Sequence, residues 1–77
     1  MRAQLDEPGD LGFLIRRIRE KHELSQRQLA ARLGVSQRYL FELETGRPKR
    51  IDEHYFSVLA ALGITLIAEF DDERRGH

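Results

Sequence analysis

The sequence predicts a small, mainly α-helical domain of roughly four to five short helices, plus one C-terminal β-strand that pairs across a homodimer. Apolar side chains recur at helical spacing after residue 11. Residues 25–45 contain two short helical patterns joined by a glycine-containing turn, and residues 64–70 are rich in β-branched and aromatic side chains. A chain of 77 residues buries only about 60% of its unfolded surface, so we expect one domain with a small core.

The first predicted helix follows a polar arm. Residues 1–9 show no apolar period and contain Pro8-Gly9, which predicts a flexible N-terminal arm that ends at an N-capping Asp10. The domain would then occupy residues 10–70. Its first helix, which runs to about residue 23, carries an apolar stripe at Leu11, Leu14, Ile15 and Ile18.

Two more helices follow with matching start and stop signals. Ser25 and Gln28 can form a capping box, Gly34 can end the first of these helices, and Ser36 can cap the second. Apolar residues fall where two steeply crossing helices meet, at Leu29, Leu33, Val35, Leu40 and Leu43. This pattern predicts a helix-turn-helix, the unit that inserts its second helix into the DNA major groove.

The start of that second helix carries side chains suited to reading bases. Glutamine can pair with adenine and arginine with guanine, so Gln37 and Arg38, with Tyr39 beside them, are candidate base contacts. The alternative is an ordinary solvated helix start. The following loop holds Arg47, Lys49 and Arg50, which we expect to contact phosphates unless the loop is merely soluble.

A fourth helix capped by Asp52 and a strand at residues 64–70 complete the domain. The helix carries more apolar side chains than one stripe needs, and a lone strand lacks a ladder, so we expect antiparallel pairing with a second copy. The alternatives are a frayed tail or a continued fourth helix. Residues 71–77 are expected to be disordered. The predicted dimer interface comprises Tyr55, Val58, Ile64, Leu66, Ile67, Ala68 and Phe70.

Charge distribution and composition limit the classes of function that the sequence can have. Residues 11–51 hold ten Lys or Arg against four acids, a charge of +6, and the flanks carry −6, which gives the net charge of zero. The sequence has no cysteine and no glycine-rich phosphate loop, and its three histidines are scattered, so we expect no enzyme activity, metal or cofactor. Without an export signal or a membrane-spanning run, we expect a cytoplasmic protein.

The motif LSQRQLAARLGVSQRYLFELETG resembles the phage-repressor-like (Xre/Cro) helix-turn-helix family over residues 11–62. The added ITLIAEF segment resembles more narrowly the HipB-type antitoxins, in which paired C-terminal strands cap a dimer. That resemblance implies a type II toxin-antitoxin operon. Its antitoxin binds a HipA-like serine/threonine kinase toxin and, as a dimer, represses its own operon at palindromic operators.

The resemblance also implies roles for individual residues. It implies that Gln26 touches a phosphate and braces Gln37, and that residues 36–39, which add Ser36 to the candidates, approach bases. Arg27 joins the predicted phosphate contacts. Phe41 departs from the family pattern, and either it contacts thymine methyls or the readout differs. Arg19 and Glu44 match a structural salt bridge of the family.

Other functions remain open. The chain could be a stand-alone dimeric repressor with no toxin partner, or an interaction module that has lost DNA binding. The last is least favoured, because the groove-facing positions keep polar and basic side chains. The tail DDERRGH has no large apolar anchor, so a kinase would bind the acidic flanks or the exposed side of the fourth helix.

Overall fold

The computed structural model describes residues 2–71, over which the chain forms four helices and no strand. The mainly helical fold and its helix-turn-helix are therefore confirmed. The helices are α1 (Pro8–Lys21), α2 (Gln26–Leu33), α3 (Gln37–Glu44) and α4 (Glu53–Ala61).

Helix α1 begins earlier than its apolar stripe indicates. Glu7 is the N-cap and Pro8 the first helical residue, where proline is well tolerated because the N–H it lacks would have no helical partner. Asp10 is the third residue of the helix, in its first turn, and its carboxylate accepts hydrogen bonds from the backbone N–H groups of Asp6 (2.8 Å) and Glu7 (3.2 Å). The prediction that Asp10 caps the helix was wrong. Upstream of α1, Leu5 packs against the core.

The core lies where all four helices meet. Ile15, Leu40 and Leu59 are the largest side chains that are fully enclosed. The predicted helix-turn-helix contacts are formed: Leu29 and Leu43 are buried, and Leu33 and Val35 pack at the edge. The buried set is Leu11, Ile15, Leu29, Ala30, Leu40, Leu43, Val58 and Leu59.

A glycine allows α1 to touch the backbone of α3. A Cβ on Gly12 would lie 2.4 Å from the carbonyl oxygen of Leu43 and 2.5 Å from that of Glu44. Real Cβ atoms do not approach so closely, and a backbone carbonyl cannot rotate away. The contact fixes the end of α3 against α1, which the sequence pattern did not indicate.

All four helices within residues 2–71 end with the same pair of hydrogen bonds. The N–H of a left-handed residue bonds a carbonyl three positions earlier, and the N–H of the next residue bonds a carbonyl five positions earlier. In three of them the left-handed residue is a glycine. In α1 it is Glu23, with φ of 55°, and Leu24 donates to the carbonyl of Arg19 at 3.1 Å. Glu23 thus adopts a conformation that disfavours any side chain.

The C-terminal segment, residues 64–70, does not form the predicted strand. A strand needs a neighbour for its ladder, and residues 2–71 contain no second extended segment that pairs with it. The N–H of Ile64 instead bonds the carbonyl of Leu59 at 2.9 Å and closes the end of α4. The predicted strand across a dimer is therefore not supported.

Several residues predicted for the dimer interface belong to the core of the single chain. Val58 is 3% exposed and lies inside the core, so its assignment to an interface was wrong. Tyr55 and Ile64 are partly buried against the same core. The surplus apolar residues of α4 are thus largely used within the chain. The other four residues predicted for the interface remain exposed: Leu66, Ile67, Ala68 and Phe70.

Candidate nucleic-acid interface

Helices α2 and α3 are capped as their sequence predicts. The hydroxyl of Ser25 accepts the N–H of Gln28 at 3.0 Å, and the Gln28 amide oxygen accepts the N–H of Ser25 at 2.8 Å. The hydroxyl of Ser36 accepts the N–H of Tyr39 at 3.0 Å. Gly34, with φ of 71°, makes the turn between the helices. This local chemistry fixes where α3 begins and which side chains occupy its first turn.

The exposed side of α3 borders a shallow depression of about 460 Å³. Gln37, Arg38 and Phe41 all lie exposed along it, and the Phe41 side chain is 46% exposed. Amide, guanidinium and aromatic groups there can meet base edges and thymine methyls. The depression is lined by Gln26, Gln37, Arg38, Phe41, Glu42 and Arg47.

Two of the predicted base contacts differ from these three. Tyr39 is half-buried, packs against the core and stacks edge-on against the His54 ring, with centroids 5.1 Å apart. Burial raises the pKa of its phenol. Ser36 is exposed, but its hydroxyl is occupied as the cap of α3. Both residues therefore have structural partners within the chain.

The residues predicted to contact phosphates fall into two groups. Arg27, Arg47 and Arg50 are exposed and carry charge toward solvent. Lys49 is largely buried, with its side chain only 18% exposed. Its ammonium forms an ion pair with Glu42 and lies 4.8 Å from the centre of the Tyr39 ring. The structure thus gives Lys49 an intramolecular role that its sequence position did not indicate.

Arg19 and Glu44 form the ion pair that the family resemblance implies. Two guanidinium nitrogens of Arg19 donate to the carboxylate at 2.8 and 3.0 Å, and a third bond runs to the carbonyl of Leu24 at 2.9 Å. The Glu44 side chain is 3% exposed. This hydrogen-bonded carboxylate raises the pKa of Arg19. The pair joins α1 to the end of α3.

Gln26 also binds this carboxylate. Its amide donates to Glu44 at 3.2 Å, so the described contact is with Glu44 rather than the predicted brace to Gln37. Gln26 and Gln37 nevertheless line the same depression. The amide of Gln26 is therefore held at the edge of the candidate interface by the scaffold.

Glu42 is a site residue that the sequence pattern did not single out. It lies on α3 one turn after Arg38, with its Oε2 atom 3.5 Å from the Arg38 Nε atom, and it also pairs with Lys49. The hydrogen bond from Lys49 holds the pKa of the Glu42 carboxyl below its ordinary value. Its spacing of four residues from Arg38 could have signalled an ion pair, but nothing in the spacing indicated Lys49.

None of the helices within residues 2–71 is long and apolar enough to cross a membrane. Over the same residues, no group of three or more His, Asp or Glu side chains lies in an arrangement that could hold a metal ion.

The fold and this basic, polar surface define a helix-turn-helix protein with a candidate DNA-reading helix. The chain belongs to the helix-turn-helix family whose HTH_3 model matches residues 15–67. It is also 33% identical, over 97% of its length and 99% of the relative's, to a protein of Sinorhizobium fredii (strain NBRC 101917 / NGR234). That relative is named uncharacterized HTH-type transcriptional regulator y4mF. The resemblance to the phage-repressor-like family is confirmed.

Solved structures share this fold at low identity. A chain of the HipA-HipB-O2-O3 complex superposes with a TM-score of 0.70 at 17% identity, covering 90% of this chain and 97% of that one. A HipB variant in complex with an O2 20mer gives a TM-score of 0.72, also at 17% identity, with 91% and 97% covered. The fold is therefore HipB-like over almost the whole chain.

Proposed function

We propose that this protein is a cytoplasmic transcriptional repressor that binds a palindromic operator as a homodimer. As the HipB-like antitoxin of a type II toxin-antitoxin operon, it also binds a HipA-like serine/threonine kinase toxin. The observation that carries the DNA-binding part is the exposed row of Gln37, Arg38 and Phe41 on α3. This row lies on a helix whose end is fixed by the buried Arg19–Glu44 pair.

In this mechanism α3 enters the major groove with its first turns against the bases. Gln37 pairs with adenine, Arg38 pairs with guanine, and Phe41 packs on a thymine methyl. The exposed Arg27, Arg47 and Arg50 hold the flanking phosphates. A two-fold dimer places the two reading helices about 34–36 Å apart, so the operator half-sites are separated by about ten base pairs between centres.

The proposed dimer uses side-chain packing by the C-terminal segment. Leu66 and Ile67 are 43% and 68% exposed there, and Phe70 is 70% exposed. Large apolar side chains so close together in sequence favour a protein contact over solvent. A symmetric contact between two copies would cover them and set the spacing of the reading helices.

The proposed toxin partner is inferred from similarity of fold. Its support is the HipB-like fold over about nine-tenths of the chain together with the HipA-HipB-O2-O3 complex among the similar structures. The kinase would contact the dimer away from α3, which leaves DNA and toxin free to bind together. The exposed side of α4, which includes Phe56, would form this contact together with the acidic flanks of the sequence.

The test is purification of the tagged protein from its own cells at native abundance and low salt, with an untagged strain as control. Mass spectrometry then identifies every protein held in stoichiometric amount, and sequencing identifies the bound DNA. A kinase-like partner together with a palindrome would support the antitoxin. A homodimer on a palindrome without a second protein would instead indicate a stand-alone repressor. Recovery without enriched DNA would contradict both.

A further inference from the structure

The candidate DNA-reading surface is the exposed side of α3 together with the residues that line the depression beside it, and these residues include one carboxylate, Glu42. Glu42 lies on α3 between Arg38 and Lys49 and forms an ion pair with each. Its side chain is 18% exposed and lines the same depression as Arg38. A carboxylate at this place repels DNA phosphates and so weakens DNA binding. Its presence there therefore indicates a function of Glu42 that compensates for this loss of affinity.

Lys49 holds Glu42 in the charged form and in one position. The Lys49 ammonium contacts the carboxylate from the loop after α3 and lies over the face of Tyr39. Tyr39 is itself packed against the core. Because Lys49 is only 18% exposed, its charge is committed to these two partners. The pair therefore anchors Glu42 from the side of the core.

Arg38 lies on the solvent side of the same carboxylate. Its Nε atom is 3.5 Å from Glu42, while its side chain is 83% exposed. With the inner nitrogen engaged, the two terminal amino groups are the donors that a guanine can meet in a bidentate pair. Because the Arg38 side of this ion pair is open to solvent, the pair is weak and a matching base can compete with it.

We propose that Glu42 is a specificity-determining positioning residue of the DNA-reading surface. It holds Arg38 extended for a base edge and keeps Lys49 away from the phosphates, which lowers affinity for unrelated sequences more than affinity for the operator. The inference rests on the proposed DNA binding, and it adds a residue whose action is to suppress non-specific contacts.

The test compares the full-length wild-type protein with Glu42→Gln, which is nearly isosteric and removes the charge. Glu20→Gln is the matched control, because Glu20 forms the same (i, i+4) ion pair with Arg16 at 3.3 Å, but on α1. Wild-type protein first selects a duplex from a random 30-base-pair pool. Each protein is then titrated by fluorescence anisotropy with the selected duplex and with a scrambled one at several salt concentrations.

We expect Glu42→Gln to bind the scrambled duplex about fivefold more tightly, with a salt slope steeper by about 0.9 for each additional phosphate that the variant neutralises. Its preference for the selected duplex should fall by a similar factor, while Glu20→Gln keeps the wild-type preference. Tighter non-specific binding is not a result that damage to the fold produces. Equal behaviour of Glu42→Gln and Glu20→Gln would overturn the proposal.

A second variant keeps the result interpretable if Glu42→Gln unfolds, which circular dichroism would show. Lys49→Gln removes the inner partner of Glu42 and leaves the carboxylate with Arg38 alone. It should therefore weaken binding to the scrambled duplex and increase the preference. Loss of preference confined to one cytosine-containing position would instead mean that Glu42 accepts a bond from that base, which also contradicts a positioning role. Wild-type protein that selects no duplex would refute the proposed function itself.

Discussion

The close approach of α1 to α3 predicts that Gly12→Ala is destabilising although alanine is the better helix former. The added Cβ would lie 2.4 Å and 2.5 Å from two carbonyl oxygens of α3 and 2.8 Å from a carbonyl carbon. An ordinary van der Waals contact needs about 1 Å more, and backbone atoms can yield only by moving the whole helix. Overpacking of this kind costs about 1–3 kcal/mol.

The net effect follows by subtraction. Because rigid backbone receives the clash, we take the upper end, about 3 kcal/mol, and remove about 1 kcal/mol for the greater helix propensity of alanine. The result is a loss of about 2 kcal/mol in the free energy of unfolding. In a domain of this size that loss lowers Tm by roughly 8–16 °C.

Thermal and urea unfolding followed by circular dichroism at one fixed protein concentration measure this loss. Gly9→Ala is the matched control, since Gly9 lies one turn earlier in α1 and the nearest atom to its added Cβ would be a Glu7 carboxylate oxygen at 3.7 Å. We expect Gly9→Ala to leave stability unchanged or slightly improved. A Gly12→Ala protein as stable as wild type would refute the claim that α1 contacts the backbone of α3.

Three further predictions concern α1, the DNA contacts and pH. Glu23→Gly should raise the free energy of unfolding by about 1 kcal/mol in urea titrations, because the left-handed conformation no longer strains a side chain. Arg38→Ala should reduce sequence preference, whereas Arg47→Ala should weaken all duplexes alike and flatten the salt slope by about 0.9; equal effects would contradict this division. The Glu42 carboxyl has a folded-state pKa below its ordinary value of 4.5, so the stability it contributes is present above that value and lost as pH falls through the folded-state pKa. The difference in urea midpoint between wild type and Glu42→Gln should therefore shrink from about pH 7 to about pH 3.

Sequence signals that act over a few residues predicted most of the fold. The caps at Ser25, Ser36 and Asp52 are formed as expected, and the apolar spacing located the core of α1 to α3. Pro8 hid the true start of α1, because proline breaks a helix interior yet suits its first residue. The 64–70 segment has strand-like composition, but a strand also requires a partner, which composition does not supply.

The candidate site was predictable only in part, because some of its contacts depend on residues that are brought together by the fold rather than by local sequence. Exposure of Gln37 and Arg38 follows from the helical period once the core face of α3 is known. The position of Lys49 over Tyr39 and against Glu42 depends instead on how the loop folds back across α3, and no local pattern encodes that path. The Lys49 phosphate contact therefore stays a prediction, and its partners within the chain are Glu42 and Tyr39.

The contacts of the Glu44 carboxylate affect how the sequence preference of this kind of protein can change in evolution. It accepts bonds from Arg19 and Gln26, so one buried group joins α1, α2 and α3 on the side of the scaffold, while Gln37, Arg38 and Phe41 lie outside this network. The proposed reading side chains can consequently be exchanged without disturbing the support beneath them. Duplicated copies of the gene could acquire new target sequences through a few substitutions on α3, each starting from a protein that already folds.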